Sequence, residues 1–156
     1  MPSQGCIRAV CFLRGGSAIE GTVYITQKEI GSPVEVTGKI AGLEPGKHAI
    51  HVHEYGDISN SGLNAGGLFN PDGKYITTDD GKTRYVGELG DVTAGEDGSA
   101  QVSFSATNLN LIGPQSIIGR SIIVHEKEHD VSAGRYEVTA ANQSGRIAYG
   151  VVGICK

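Results

Sequence analysis

The five histidines of this 156-residue chain fall in two short segments. His48, His51 and His53 lie in "HAIHVHEYGD", and His125 and His129 lie in "IIVHEKEHD". In a strand, residues two apart face the same side, so His51 and His53 would present two imidazoles together while the residue between them faces the other side. Such a pair either binds one metal ion or forms a hydrogen-bonded structural pair.

A third histidine favours the metal interpretation. His125 ends another apolar segment, and the two histidine segments lead directly into two long connections, from residue 55 to about 85 and from 126 to about 145. Long connections without strand patterns usually lie over a functional site. We therefore predict a metal site built from His51, His53 and His125.

The elements that would position these histidines are β-strands. No segment has a sustained 3.6-residue apolar period, and the 24 glycines suit a fold with many turns. These patterns predict an all-β sandwich or flattened barrel, in a single domain over residues 1–156. The predicted strands, rich in branched or alternating apolar residues, are residues 7–13, 19–26, 34–42, 48–54, 87–93, 100–106, 116–126 and 146–154.

Composition and charge limit the partners and the compartment. The net charge is -4, so no basic field favours nucleic acid or an acidic membrane. No run approaches the ~20 apolar residues of a membrane span, and Arg8 interrupts the first apolar run. The three cysteines, at positions 6, 11 and 155, form neither a disulfide framework nor a thiolate zinc motif. We expect a cytoplasmic protein with free thiols.

A series of motifs resembles the copper,zinc superoxide dismutase family. The motifs are "GLEPGKHAIHVHEYGD", "NAGGLFNPDGK", "VGELGDVTAGEDG", "IIGRSIIVHEKEHD" and "GRIAYGVVGI", in the family's order and at nearly its spacing from Cys11 to Ile154. The resemblance implies an eight-stranded Greek-key β-barrel or sandwich, immunoglobulin-like, with two long functional loops. It also implies copper as the cofactor, superoxide anion as the substrate and a homodimer.

The resemblance assigns roles to individual residues. His51, His53 and His125 match three of the family's four copper-ligating histidines, and Arg146 matches the arginine that steers and positions superoxide. His48 matches a structural histidine that does not touch metal. Leu43 matches an apolar plug at the end of the barrel. The residues that match the family's dimer contact are Tyr55, Gly56, Ile118, Gly119, Val151 and Ile154.

The zinc half of the family's site is replaced in this sequence. Leu68 stands where the family has the histidine that bridges copper and zinc, Ile76 and Tyr85 stand at the two other zinc histidines, and Glu88 stands at the zinc aspartate. One carboxylate cannot form a tetrahedral zinc site, which needs three or four ligands. Zinc is therefore not expected.

Two further departures concern the loops. Gly62 and Tyr149 stand where the family has its paired cysteines, so the covalent link of the first long loop is missing. His129 replaces the aspartate that connects the two metal sites in the family. We interpret His129 as a loop residue in preference to a replacement metal ligand.

Two functions from different classes fit this pattern. Three imidazoles suit Cu(I), whereas Cu(II) prefers four or five ligands in a tetragonal arrangement. The first hypothesis is a copper-only superoxide dismutase of reduced activity, with Arg146 guiding the anion. The second is a pseudoenzyme that binds copper or a partner, such as a dismutase subunit or a copper chaperone.

Overall fold

The fold consists almost entirely of β-strands. The computed structural model describes residues 7–16, 18–73, 75–77, 83–127 and 145–156, with only the backbone described at 75–77 and 83–85. In these residues the one helical element is the 3-10 turn Leu63–Ala65. The strands are β1 (Ile7–Gly15), β2 (Ile19–Gln27), β3 (Val34–Ala41), β4 (Gly46–His53), β5 (Tyr75–Thr77), β6 (Thr83–Tyr85), β7 (Glu88–Ala94), β8 (Ala100–Ala106), β9 (Ser121–His125) and β10 (Arg146–Cys155).

Eight of these strands close into an antiparallel barrel. Their order around the barrel is β1-β10-β9-β4-β7-β8-β3-β2, while β5 and β6 form a separate hairpin. Because β4 lies between β7 and β9, the chain crosses one end of the barrel between β3 and β4, which is a Greek-key connection. Leu43 lies buried on this crossing, and its amide donates to the carbonyl of Gly98. The predicted all-β, eight-stranded barrel is confirmed.

The inside of the barrel is filled by apolar side chains that alternate along each strand. In β1, for example, Ala9, Cys11 and Leu13 are fully buried while the residues between them are partly or fully exposed. Each buried Leu, Ile or Val contributes about 1.5–3 kcal/mol to the hydrophobic stabilisation of the fold. These apolar residues occupy the inward-facing positions of the strands, and the side chains at alternate positions face away from them.

The strand predicted at residues 116–126 is shorter than expected. β9 begins only at Ser121, and residues 116–120 form a turn in which Gly119 has a φ of 88°. The amide of Ile117 donates to the carbonyl of Asn110 within this connection. The apolar residues Ile117 and Ile118 therefore resemble a strand in sequence although they lie in a turn that packs on the barrel. Residues 107–120 form another long connection.

The described cysteines carry free thiols. Cys11 is buried in the core and Cys155 is partly exposed. Burial raises the pKa of Cys11 to about 12, so this thiol stays protonated. Cys6 lies outside the described residues.

Across the described part of the chain, no helix has the length and apolar character needed to span a bilayer.

Candidate metal centre

The histidine pair lies on the outer wall of the barrel. Ile50 and Val52 belong to the interior core, so His51 and His53 face outward from β4. Both histidines are nevertheless 0% exposed, because loop segments cover this part of the wall. The predicted same-face arrangement of the two imidazoles is confirmed.

His125 joins the pair from the neighbouring strand. β9 runs antiparallel to β4 with Ile50 opposite Val124, so His125 follows at the same outer face, where it is 5% exposed. The ligand atoms of the three imidazoles all lie within 4.8 Å of one another. The structure therefore brings together the three residues on which the predicted metal site depends.

Irregularities in the two flanking strands lie at the level of this cluster. In β7, Gly90 is opposite Ile50 but Glu88 is opposite His51, so Leu89 is an extra residue. In β10, Ala148 is opposite Val124 but Arg146 is opposite His125. Bulges of this kind turn side chains to new directions and are common beside functional sites.

The bulge in β10 depends on a close approach by β1. A Cβ atom at Gly15 would lie only 1.6 Å from the carbonyl oxygen of Ile147, the extra residue of the bulge. Only glycine fits at this position. Gly15 thus permits the backbone path that places Arg146 opposite His125.

The segment that covers the cluster runs along the end of β4. Leu68 forms a β-bridge with His53, and the amide of Phe69 donates to the carbonyl of Val52 at 2.8 Å. Just before it, the carbonyl of Gly66 accepts hydrogen bonds from Nδ1 of His53 at 3.1 Å and from Nη2 of Arg146 at 2.8 Å. One backbone oxygen therefore positions both an imidazole and the guanidinium.

The hydrogen bond from His53 leaves its other ring nitrogen for a metal. Because Nδ1 donates to Gly66, a neutral His53 ring carries its lone pair on Nε2, which lies 3.3 Å from Nε2 of His125. Two imidazole nitrogens that share one ion at about 2.0 Å lie roughly 3.3–3.5 Å apart. Imidazole donors at this spacing fit a transition-metal ion such as copper.

His48 does not belong to the cluster. Its Nδ1 lies 3.0 Å from the carbonyl oxygen of His125, and its Nε2 lies 2.8 Å from that of Glu44. These contacts connect the backbone beside His125 to the crossing at the end of the barrel. The position agrees with the structural role that the sequence suggested for His48.

Burial keeps His53 and His125 uncharged. The pKa of His53 is lowered to about 3 and that of His125 to about 4, mainly by desolvation, with a smaller contribution from the nearby positive charge of Arg146. Both rings are therefore neutral near pH 7. A metal ion binds imidazole only through a deprotonated nitrogen, so the rings are ready to act as ligands.

Arg146 is held beside the cluster by backbone carbonyls. It is buried, and its Nη1 donates to the carbonyl of Gly62 at 2.9 Å while Nη2 donates to Gly66. The sequence does not predict these two acceptors, because every residue has a backbone carbonyl and its type does not show which carbonyl accepts a hydrogen bond. The glycines themselves were a usable signal, since both adopt positive φ at the start and end of the 3-10 turn.

The residues that the resemblance places at the family's zinc ligands occupy several places. Leu68 is 7% exposed beside His53, and Glu88 begins β7 opposite His51. Ile76 and Tyr85 lie in the β5–β6 hairpin, but their side chains lie outside the described part of the chain. His129 also lies outside the described residues.

The structure is thus an antiparallel β-barrel whose outer wall carries three buried imidazoles that could hold a metal ion. The family model of copper/zinc superoxide dismutase (SODC) matches residues 19–152. The chain belongs to this family. The resemblance seen in the motifs is confirmed over most of the sequence.

The depressed pKa values predict an acid-sensitive apoprotein. Below the pKa of about 6.5 that His has in an unfolded chain, His53 and His125 take up protons in the unfolded state but not in the folded one. As the pH falls below 6.5, each histidine should therefore lower the free energy of unfolding by about 1.4 kcal/mol for every pH unit. This loss should continue until the pH approaches the pKa of that histidine in the folded protein. Urea unfolding of metal-free protein between pH 7.5 and 5 measures this slope.

The His53→Gln variant is the control, because it should lose the share of the slope that belongs to His53. Equal stability of the unsubstituted apoprotein at pH 7 and pH 5 would contradict the burial of neutral rings.

Proposed function

We propose that this protein is a copper-only member of its family that disproportionates superoxide to oxygen and hydrogen peroxide with reduced activity. The observation that supports this most directly is the convergence of three buried imidazoles, His51, His53 and His125, beside Arg146. These histidines would hold the copper ion. Bound copper would supply the one-electron redox chemistry that the reaction needs.

Arg146 would bring the substrate to the site. Its guanidinium is permanently charged, and the carbonyls of Gly62 and Gly66 fix its position. A fixed positive charge attracts a small anion and raises its rate of encounter. This attraction weakens as salt screens it over ~8–10 Å.

Leu68 is the reason to expect reduced activity. Two superoxide anions consume two protons when they yield oxygen and hydrogen peroxide, so a dismutase benefits from a side chain that gives and regains a proton. The family resemblance puts a histidine at position 68, but here the buried side chain beside His53 is aliphatic. Leu68 can neither transfer a proton nor bind metal.

The second candidate is a pseudoenzyme that binds copper or a protein partner. Leu68 favours it, and so does a group of exposed apolar residues at the family's dimer contact. Tyr55 is 58%, Val151 39% and Ile154 69% exposed. The partner would be a dismutase subunit or a copper chaperone. A superoxide turnover assay on the copper-loaded protein separates the two candidates.

We expect one copper per chain and no zinc at the family's zinc position, because Leu68, Ile76 and Tyr85 offer no ligands there. The His53→Ala variant should lose copper after dialysis, whereas His129→Ala should retain it. Metal content by mass spectrometry of the purified proteins measures both. Stoichiometric zinc near Glu88, or loss of copper from His129→Ala, would contradict the proposed ligand set.

We expect the copper-loaded protein to dismutate superoxide more slowly than a family member with an intact zinc half. Leu68→His alone should help little, because an imidazole that bridges two metals needs zinc on its far side. The combined variant Leu68→His, Ile76→His, Tyr85→His and Glu88→Asp should bind zinc and turn over faster. Pulse radiolysis measures these rates. Diffusion-limited turnover by the unsubstituted protein would show that the missing histidine is not limiting.

We also expect a homodimer formed through the exposed apolar residues. The hydroxyl of Ser121, at the start of β9, donates to the carbonyl of Tyr55, and the amide of Gly119 donates to the carbonyl of Val152 on β10. Light scattering at micromolar concentration should give twice the chain mass. Val151→Lys would place a charge on this surface and should give the monomer mass, whereas Lys39→Glu, on β3, should remain a dimer.

A further inference from the structure

An aromatic ring packs against the loop that holds Arg146. Tyr149 lies on the outer face of β10, on the same strand as Arg146, and its ring contacts Gly62. Gly62 in turn supplies one of the two carbonyls that bind the guanidinium. We propose that Tyr149 is a positioning residue that keeps the Gly62 carbonyl on Arg146. The role in anion binding rests on the proposed function, whereas the anchoring of the loop does not.

The contact between Tyr149 and Gly62 is close enough to exclude any side chain at position 62. A Cβ atom there would lie 2.9 Å from Cδ1 and 3.1 Å from Cγ of the tyrosine ring. The ring thus fills the space that a side chain would need. The small residue and the large one are complementary in shape, and together they join the loop to β10 without a covalent bond.

The loop needs an anchor because its backbone is unusual. Asn60, Ser61 and Gly62 are consecutive residues with φ of 56°, 56° and 80°. The left-handed region is unfavourable for residues other than glycine, so this conformation persists only when contacts hold it. A restraint on Gly62 therefore stabilises the whole turn.

The hydrogen bonds of this turn are mostly internal to it. The amide of Gly62 donates to Ile58 at 3.0 Å, and Asn64 donates to the hydroxyl of Ser59 at 2.8 Å. Such bonds shape the turn but do not fix its distance from β10. The contact with the ring of Tyr149 and the hydrogen bond from Arg146 connect the turn to β10.

This anchor differs chemically from a disulfide. It contains no sulfur, so thiol–disulfide exchange cannot open it.

Hydrogen exchange on the metal-free protein tests the anchoring. In Tyr149→Ala, the amides of Gly62, Leu63 and Ala65 should exchange roughly tenfold faster, because the turn loses its contact with β10. Tyr149→Phe keeps the ring and should exchange like the unsubstituted protein. Phe12→Ala is the matched control, since it removes a partly exposed aromatic side chain from the adjacent strand β1 and should leave these amides unchanged.

Azide titration of the copper-loaded proteins tests the effect on Arg146. Tyr149→Ala should bind azide several-fold more weakly at equal copper content, and Tyr149→Phe should bind it normally. A purely structural role would lower the unfolding midpoint but leave azide affinity unchanged, and that result would overturn the positioning role. Unchanged exchange in Tyr149→Ala, or equal loss in Tyr149→Phe, would overturn the anchor itself. The exchange result stands even if the protein binds no copper.

Discussion

The site depends on one backbone oxygen with two donors. The carbonyl of Gly66 accepts from Nδ1 of His53 and from Nη2 of Arg146, so it sets the tautomer of one and the direction of the other. It lies in the segment that runs along the end of β4 and buries the cluster. Removing this segment would both expose the imidazoles and release the arginine. The burial of the imidazoles, the tautomer of His53 and the position of the charge on Arg146 thus depend on the same short segment.

Arg146 affects the cluster in a second way. Its positive charge disfavours protonation of His53 and His125, in the same direction as the larger effect of burial. The same side chain therefore helps to keep the neighbouring imidazole nitrogens free of protons. The charge is fixed because the guanidinium does not titrate near neutral pH. Under the proposed function, this one cation would both attract superoxide and keep the ligand nitrogens unprotonated.

The sequence predicted the fold and the cluster well, because both depend on side-chain period. Alternation along the strands indicated an all-β fold, and the spacing of His51 and His53 placed both on one face. It failed at Ile117 and Ile118, where apolar residues pack in a turn and imitate a strand. It could not indicate the carbonyls of Gly62 and Gly66, since backbone acceptors depend on the path of the loop. The packing of Tyr149 on Gly62 was likewise invisible, because it joins positions far apart in the chain.

The outer-wall location of the cluster separates two kinds of residue. The core that folds the barrel includes Ile50, Val52 and Val124, whereas His51, His53 and His125 alternate with them on the opposite face. Leu68 is buried too, but it does not belong to that core. Substitutions on the outer face of β4 and β9 can therefore change the candidate metal site without altering the residues that form the core. Point substitutions alone can thus remove or restore metal ligands while the barrel still folds.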